Sequence, residues 1–134
     1  MFRVLVAVDD DEQRATKQAD AVSSMPMNPD DVEVTVVHAV TDRAGSRELQ
    51  DPDRIQTVRR VARRLEDEGY TVHEEDAGDE VAREILRVAD EIDADLVVLG
   101  GRKRTPTQKV LFGSVTQSVL LGTDRPVIVT GGET

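Results

Sequence analysis

The chain has 134 residues, the size of one domain, and carries 27 acidic against 17 basic residues for a formal net charge of −10. It has no cysteine, which excludes disulfides and thiolate metal sites, and only 2% of it is aromatic. Duplex binding needs a basic face and single-strand binding needs stacking rings, so nucleic acid is not an expected partner.

Phe2–Val8 (FRVLVAV) is almost wholly apolar and β-branched, which predicts a strand buried on both faces. Asp9, Asp10 and Asp11 stop it. From Glu12 a helical pattern runs through Ala15, Ala19 and Val22, with Asp11 as its cap, and Pro26 and Pro29 end it. Val32–Val40 (VEVTVVHAV) reads as the second strand, and 41–51 as a polar loop. Asp51-Pro52 reads as a cap followed by proline at the first helical position. Ile55, Val58, Val61, Ala62 and Leu65 then keep helical spacing until Gly69. Tyr70–Glu75 (YTVHEE) alternates apolar and polar, as a half-exposed edge strand does.

A third helix is marked by Val81, Ile85, Val88, Ala89 and Ile92, and a short apolar strand by Asp95–Leu99. The last helix is expected over Gly113–Leu121, with Val115, Val119 and Leu120 inward, and the last strand over Pro126–Thr130. The apolar runs, such as Val4–Val8 and Leu96–Leu99, are too short to cross a bilayer. No basic segment followed by a long apolar one opens the sequence, so no signal peptide, no membrane partner and a cytoplasmic location are expected. The cations are mostly arginine, with lysine only at 17, 103 and 109. Many acids and few lysines suggest a halophilic protein, whose self-repulsion concentrated salt would screen.

Strands alternating with helices predict an α/β fold: a single doubly wound five-stranded parallel sheet over residues 1–134, with helices on both faces. Putting the most apolar strands in the centre and the alternating one at an edge gives the order 3-2-1-4-5. The order reverses between strands one and four, and open sheets bind ligands in that crevice, beyond the carboxyl ends. Ala7, Val8 and Asp9 would meet Leu99 and Gly100 there.

The loop that leaves this point, within LGGRKRTPTQKVLFGSVTQSVL (99–120), gathers Arg102, Lys103, Arg104 and Lys109 in an otherwise acidic chain. Gly100 has no Cβ, so a phosphate or ribose can approach the main chain. Gly113 and Ser114 open a helix, where free N–H groups and about half a positive charge attract an anion. Ser114 and Thr116 add hydroxyl donors. Together these favour a phosphate-bearing ligand. No GxxxxGK[ST] segment is present, so the loop is not a Walker A motif.

These features resemble the universal stress protein family over essentially the whole chain. VAVDDD is similar to the family's first strand closing on Val-Asp, and VTQSVLLGTDRPVIV to its last helix and strand. The family's nucleotide signature is Gly-x2-Gly-x9-Gly-Ser/Thr; here that register reads Gly100, Gly101-Arg102, Lys103, nine residues, then Gly113-Ser114. The resemblance implies an adenine nucleotide alpha hydrolase-like fold, a stress role, and ATP or a related adenine nucleotide, with or without Mg2+, as ligand. It implies contacts from Ala7, Val8, Leu99, Gly100, Arg102, Lys103, Gly113, Ser114, Val115 and Thr116. It sets Asp9 near the adenine and ribose and the Val40 main chain near the base. It also implies a homodimer built partly on Pro126–Thr130, acting through conformation or protein partners, with at most slow ATP hydrolysis.

Lys103 stands where the family has its second glycine. If that backbone is left-handed, its Cβ costs about 1–2 kcal/mol, roughly tenfold in affinity; an ammonium on a phosphate would offset this. A nucleotide-free interaction dimer is therefore an alternative. A phosphorylation receiver is another, with Asp9, Asp10 and Asp76 as its acids, but the last strand is followed by Gly131-Gly132 and not by the required lysine. His38 reads as a core residue and His73 as solvated, and the two make no metal site. The arginine pairs 59–60 and 63–64 read as a solvated face offset by acids such as Glu66.

Overall fold

The computed structural model describes residues 1–9, 11–39, 52–78, 80–101 and 113–131, with backbone alone for 52–55. β1 (Phe2–Val8) lies at the centre of the sheet. It pairs in parallel with β2 (Val32–His38) from Phe2↔Val32 to Val8↔His38. On its other side it pairs with β4 (Leu96–Gly100), but only from Val4↔Leu96 to Val6↔Val98. β3 (Thr71–Asp76) extends the sheet beyond β2 and β5 (Val127–Thr130) beyond β4, so the order is β3-β2-β1-β4-β5 with every pairing parallel. That is the predicted architecture.

Because strand side chains alternate, β1 feeds two cores. Val4, Val6 and Val8 join Ala15, Ala19 and Val22 of α1 (Glu12–Ser23) and Val58, Val61 and Leu65 of α2 (Pro52–Asp67). Leu5 and Ala7 join Val81, Ile85, Val88 and Ala89 of α3 (Val81–Glu91) and Val119 of α4 (Ser114–Gly122). Asp11 caps α1 as expected, its Oδ1 accepting from the Arg14 amide at 3.0 Å. Gly69 ends α2 at φ +105°, where a side chain would be strained. Arg125 ties the end of α3 to the approach to β5: Nη1 donates to the Ala94 carbonyl at 2.7 Å and to Asp93, and Nη2 to Asp90.

Four expectations shift. β3 is exposed nearly throughout, with only Val72 partly buried against the α1/α2 core. Val115 and Leu120 are half-buried, so Val119 alone anchors the apolar side of α4 fully. His73 is not simply solvated: its Nε2 lies 3.1 Å from Glu33. The α2 arginines find their acids on the neighbouring helix as well as their own, Arg60 pairing with Glu12 and Arg64 with Asp20 at 2.8 Å and Glu68 at 3.1 Å. His38 is buried, as predicted.

Glu68 also accepts from the Ser23 hydroxyl. That hydrogen bond first, and the Arg64 guanidinium next, hold its carboxyl below the ordinary 4.5. A depressed acid contributes stability that is present above its unfolded pKa and lost as pH falls through the folded one. Glu68→Gln should therefore lower stability at pH 7, with the difference from the natural chain closing as pH falls below about 4.5, so that the acid limb is flatter. Urea midpoints across that range check this, and an unchanged acid limb would contradict it.

Candidate functional site

β1 and β4 stop pairing at Val6↔Val98, and a cleft opens above that point. The gap is bridged from α1: Gln18 Nε2 donates to the Ala7 carbonyl at 2.6 Å and to the Val98 carbonyl at 3.3 Å. Gln18 is buried, so this bond pair holds the two strands at a fixed separation. Gln18→Leu keeps the volume and removes the donor. It should lower stability by about 1–3 kcal/mol, read as a shift in urea midpoint; no shift would mean that the strands need no bridge.

The cleft holds about 450 Å³, counting the open solvent at its mouth, and is lined by Ala7, Asp9, Arg14, Gln18, Ala39, Leu99, Gly100, Gly113, Val115 and Thr116. Seven of the predicted site residues are thus brought together: Ala7, Asp9, Leu99, Gly100, Gly113, Val115 and Thr116. Val8 turns into the α1/α2 core instead, because it alternates with Ala7 and Asp9 along the strand. Ser114 is exposed and its side chain does not line the cleft, so its contribution rests on its amide. Val40, Arg102 and Lys103 lie outside the described residues.

Gly113 is the N-cap of α4, at φ −72° and ψ 167°, with no side-chain cap and no acid in the first turn. Among the described residues no acceptor holds the amides of Ser114, Val115 or Thr116. Helix-start donors with no described acceptor, together with the helix dipole, make the wall anion-seeking. The Thr116 hydroxyl does not add to them, since it donates to the Gly100 carbonyl at 3.3 Å. Gly100 has a structural use too: a Cβ there would lie 3.2 Å from Arg14 Cδ and 3.2 Å from Gln18 Oε1. The missing side chain makes room for α1.

Arg14, Gln18 and Ala39 are lining residues that the sequence reading did not name. Among the described lining residues Arg14 is the only cation and Asp9 the only acid. Arg14 Nη2 lies 3.0 Å from Asp9 Oδ2 and 3.6 Å from Asp11 Oδ2. Arg14 offsets the Asp9 charge at the wall, and Asp11 shares the same guanidinium. A signal for Gln18 was available. It stands between Ala15 and Val22 on the apolar stripe of α1, where a polar residue needs a buried partner, and Arg14 is four positions before it on the same face. Asp76, the acceptor in a receiver reading, ends the edge strand two positions from β1 and accepts from the Gly78 amide, so it does not join Asp9.

Residues 1–131 match the family model described as universal stress protein family. A universal stress protein of Mycolicibacterium smegmatis is 38% identical over 72 residues, 53% of this chain and 55% of that protein. The match thus spans about half the length of that curated relative. The structure of a universal stress protein from Archaeoglobus fulgidus superimposes with a TM-score of 0.71 at 31% identity, covering 97% of this chain and 98% of that one. A complex of the Archaeoglobus fulgidus universal stress protein with dAMP gives 0.67 at 27% identity, over 97% and 98% of the two chains.

Proposed function

Because the chain belongs to the universal stress protein family, we propose that it binds an adenine nucleotide at the β1/β4 switch point and passes the bound state on through conformation or protein partners. One observation carries this reading: the uncapped start of α4, with three amides that no described acceptor holds, faces a cleft where the two central strands part. The dAMP complex of an Archaeoglobus fulgidus relative supports the ligand class. In this reading the Ser114–Thr116 amides hold phosphate, Ala7, Ala39 and Leu99 offer apolar surface to the base, and Arg14 offsets the charge of Asp9. ATP, with or without Mg2+, is the proposed physiological form. Turnover is not part of the proposal, since the one carboxylate lining the described cleft is already engaged by Arg14.

Calorimetric titration with AMP and with ATP plus Mg2+, at low and at multimolar salt, tests it. Saturable one-site binding supports the reading, and flat titrations at every salt overturn it. The salt series also probes the halophilic composition, because screening should stabilise a chain of net charge −10. Lys103 motivates a second reading, a nucleotide-free dimer; Lys103→Gly gaining ligand that the natural chain lacks would favour it. Either reading includes self-association through β5, an edge strand beside which Ile128 and Leu121 are exposed. Light scattering decides that point, and a monomer mass at all concentrations contradicts it.

A further inference from the structure

Resting on the adenine-nucleotide reading above, we infer that Arg14 is a positioning residue that makes Asp9 a reader of the ligand's sugar hydroxyls. Asp9 follows β1, Arg14 lies in the first turn of α1, and both line the cleft. The two oxygens of the Asp9 carboxylate are not equivalent. Arg14 Nε donates to Oδ2 at 3.1 Å, and Nη2 stands 3.0 Å from the same oxygen. Oδ1 accepts one bond, from the Asp11 amide at 2.9 Å. A carboxylate oxygen offers two acceptor directions. The guanidinium therefore engages Oδ2 through both nitrogens, whereas Oδ1 carries one neutral amide bond and keeps an acceptor direction that Arg14 does not approach.

Phosphate cannot use that capacity, since it is itself an acceptor and an anion. The donors of an adenine nucleotide are its sugar hydroxyls and its amino group. Asp9 shares the cleft with Gly100 and Gly113, the side on which phosphate is held, and the sugar is what adjoins phosphate in the ligand. The hydroxyls are thus the donors in reach. The guanidinium can hold the carboxylate in one orientation because it is itself confined. Its Cδ lies against Gly100, Asp11 Oδ2 stands 3.6 Å from Nη2, and its side chain is only 17% exposed. A two-point planar grip is a property of arginine that lysine does not reproduce.

The test compares AMP, 2′-deoxy-AMP and 3′-deoxy-AMP by calorimetry in the natural chain, Arg14→Gln and Arg14→Lys. All three ligands carry the same phosphate, so any change in charge cancels in their affinity ratios. The natural chain should bind one deoxy form about tenfold or more weakly than AMP, as a hydrogen bond to a charged group implies. In both variants that ratio should shrink to within about threefold, and Arg14→Lys should keep most of the AMP affinity. Both variants retain the α1 cap, because Asp11 Oδ1 accepts from the backbone amide at 14. A ratio unchanged by either substitution, or AMP binding without discrimination, overturns this inference alone. Absence of AMP binding in the natural chain overturns the nucleotide reading with it.

Discussion

Gly113→Val is expected to weaken AMP and ATP binding at least about tenfold while the fold persists. Its backbone, at φ −72° and ψ 167°, is extended and open to any L-residue, so the substitution brings no backbone strain. Valine is a poorer N-cap than glycine, which costs about 1 kcal/mol at most. The new methyl groups project from the residue that lines the cleft directly before the first amides of α4, which no described acceptor holds. They would keep phosphate from those donors by bulk and leave the sheet untouched. Calorimetry reads the loss, and far-UV dichroism with a urea midpoint checks the fold. Undiminished binding would mean that the anion sits elsewhere.

The largest effect on stability should come from the centre of the sheet. Leu5 is fully buried on β1, in the cluster that includes Ile85, Val88 and Val97. Leu5→Ala removes its packing and leaves a cavity lined by side chains that cannot all move in, at a cost of about 2–5 kcal/mol. A domain with a total of about 5–15 kcal/mol would lose a large share of it. Leu121→Ala is the matched control: that leucine is 88% exposed, and its removal should stay within about 0.5 kcal/mol in the monomer. Urea unfolding at fixed salt compares them, and a Leu5→Ala cost below about 1 kcal/mol would contradict the two-core description.

The sheet was legible in the sequence because its signals are local. FRVLVAV and the Leu96–Leu99 run are short, apolar and bounded by acids or glycine, and a strand buried on both faces has no other way to look. The order of strands followed from the same contrast, since the polar run through His73, Glu74 and Glu75 could only be an edge. Boundaries moved by a residue where a polar neighbour still paired, as with Asp76 and Gly100.

The site was legible as far as glycines and a helix start can announce it. Gly100 and Gly113 both reached the cleft. Gln18 stood out as a polar residue on an apolar stripe, but where α1 lies was hidden because it depends on how a helix leans over a strand gap. Arg14 and Gln18 are close in sequence to Asp9, yet nothing in their spacing says that the helix axis carries them over Gly100. The family motif drew attention to the loop after β4, and α1 belongs to no such motif. His73, Arg59, Arg60 and Arg63 are exposed, as read, and Arg64 has a nearby acid in Glu68. The pairings with Glu33, Glu12 and Asp20 lie 40 or more residues away along the chain, and a local pattern does not reach that far.

The most direct measurement is a map of backbone amide shifts in the labelled protein as AMP is added. The account predicts the largest changes at Ser114, Val115 and Thr116, with a second group at Ala7, Asp9 and Gly100 across the cleft. No change on saturation with AMP, or changes gathered on the open polar face of β3, would contradict it.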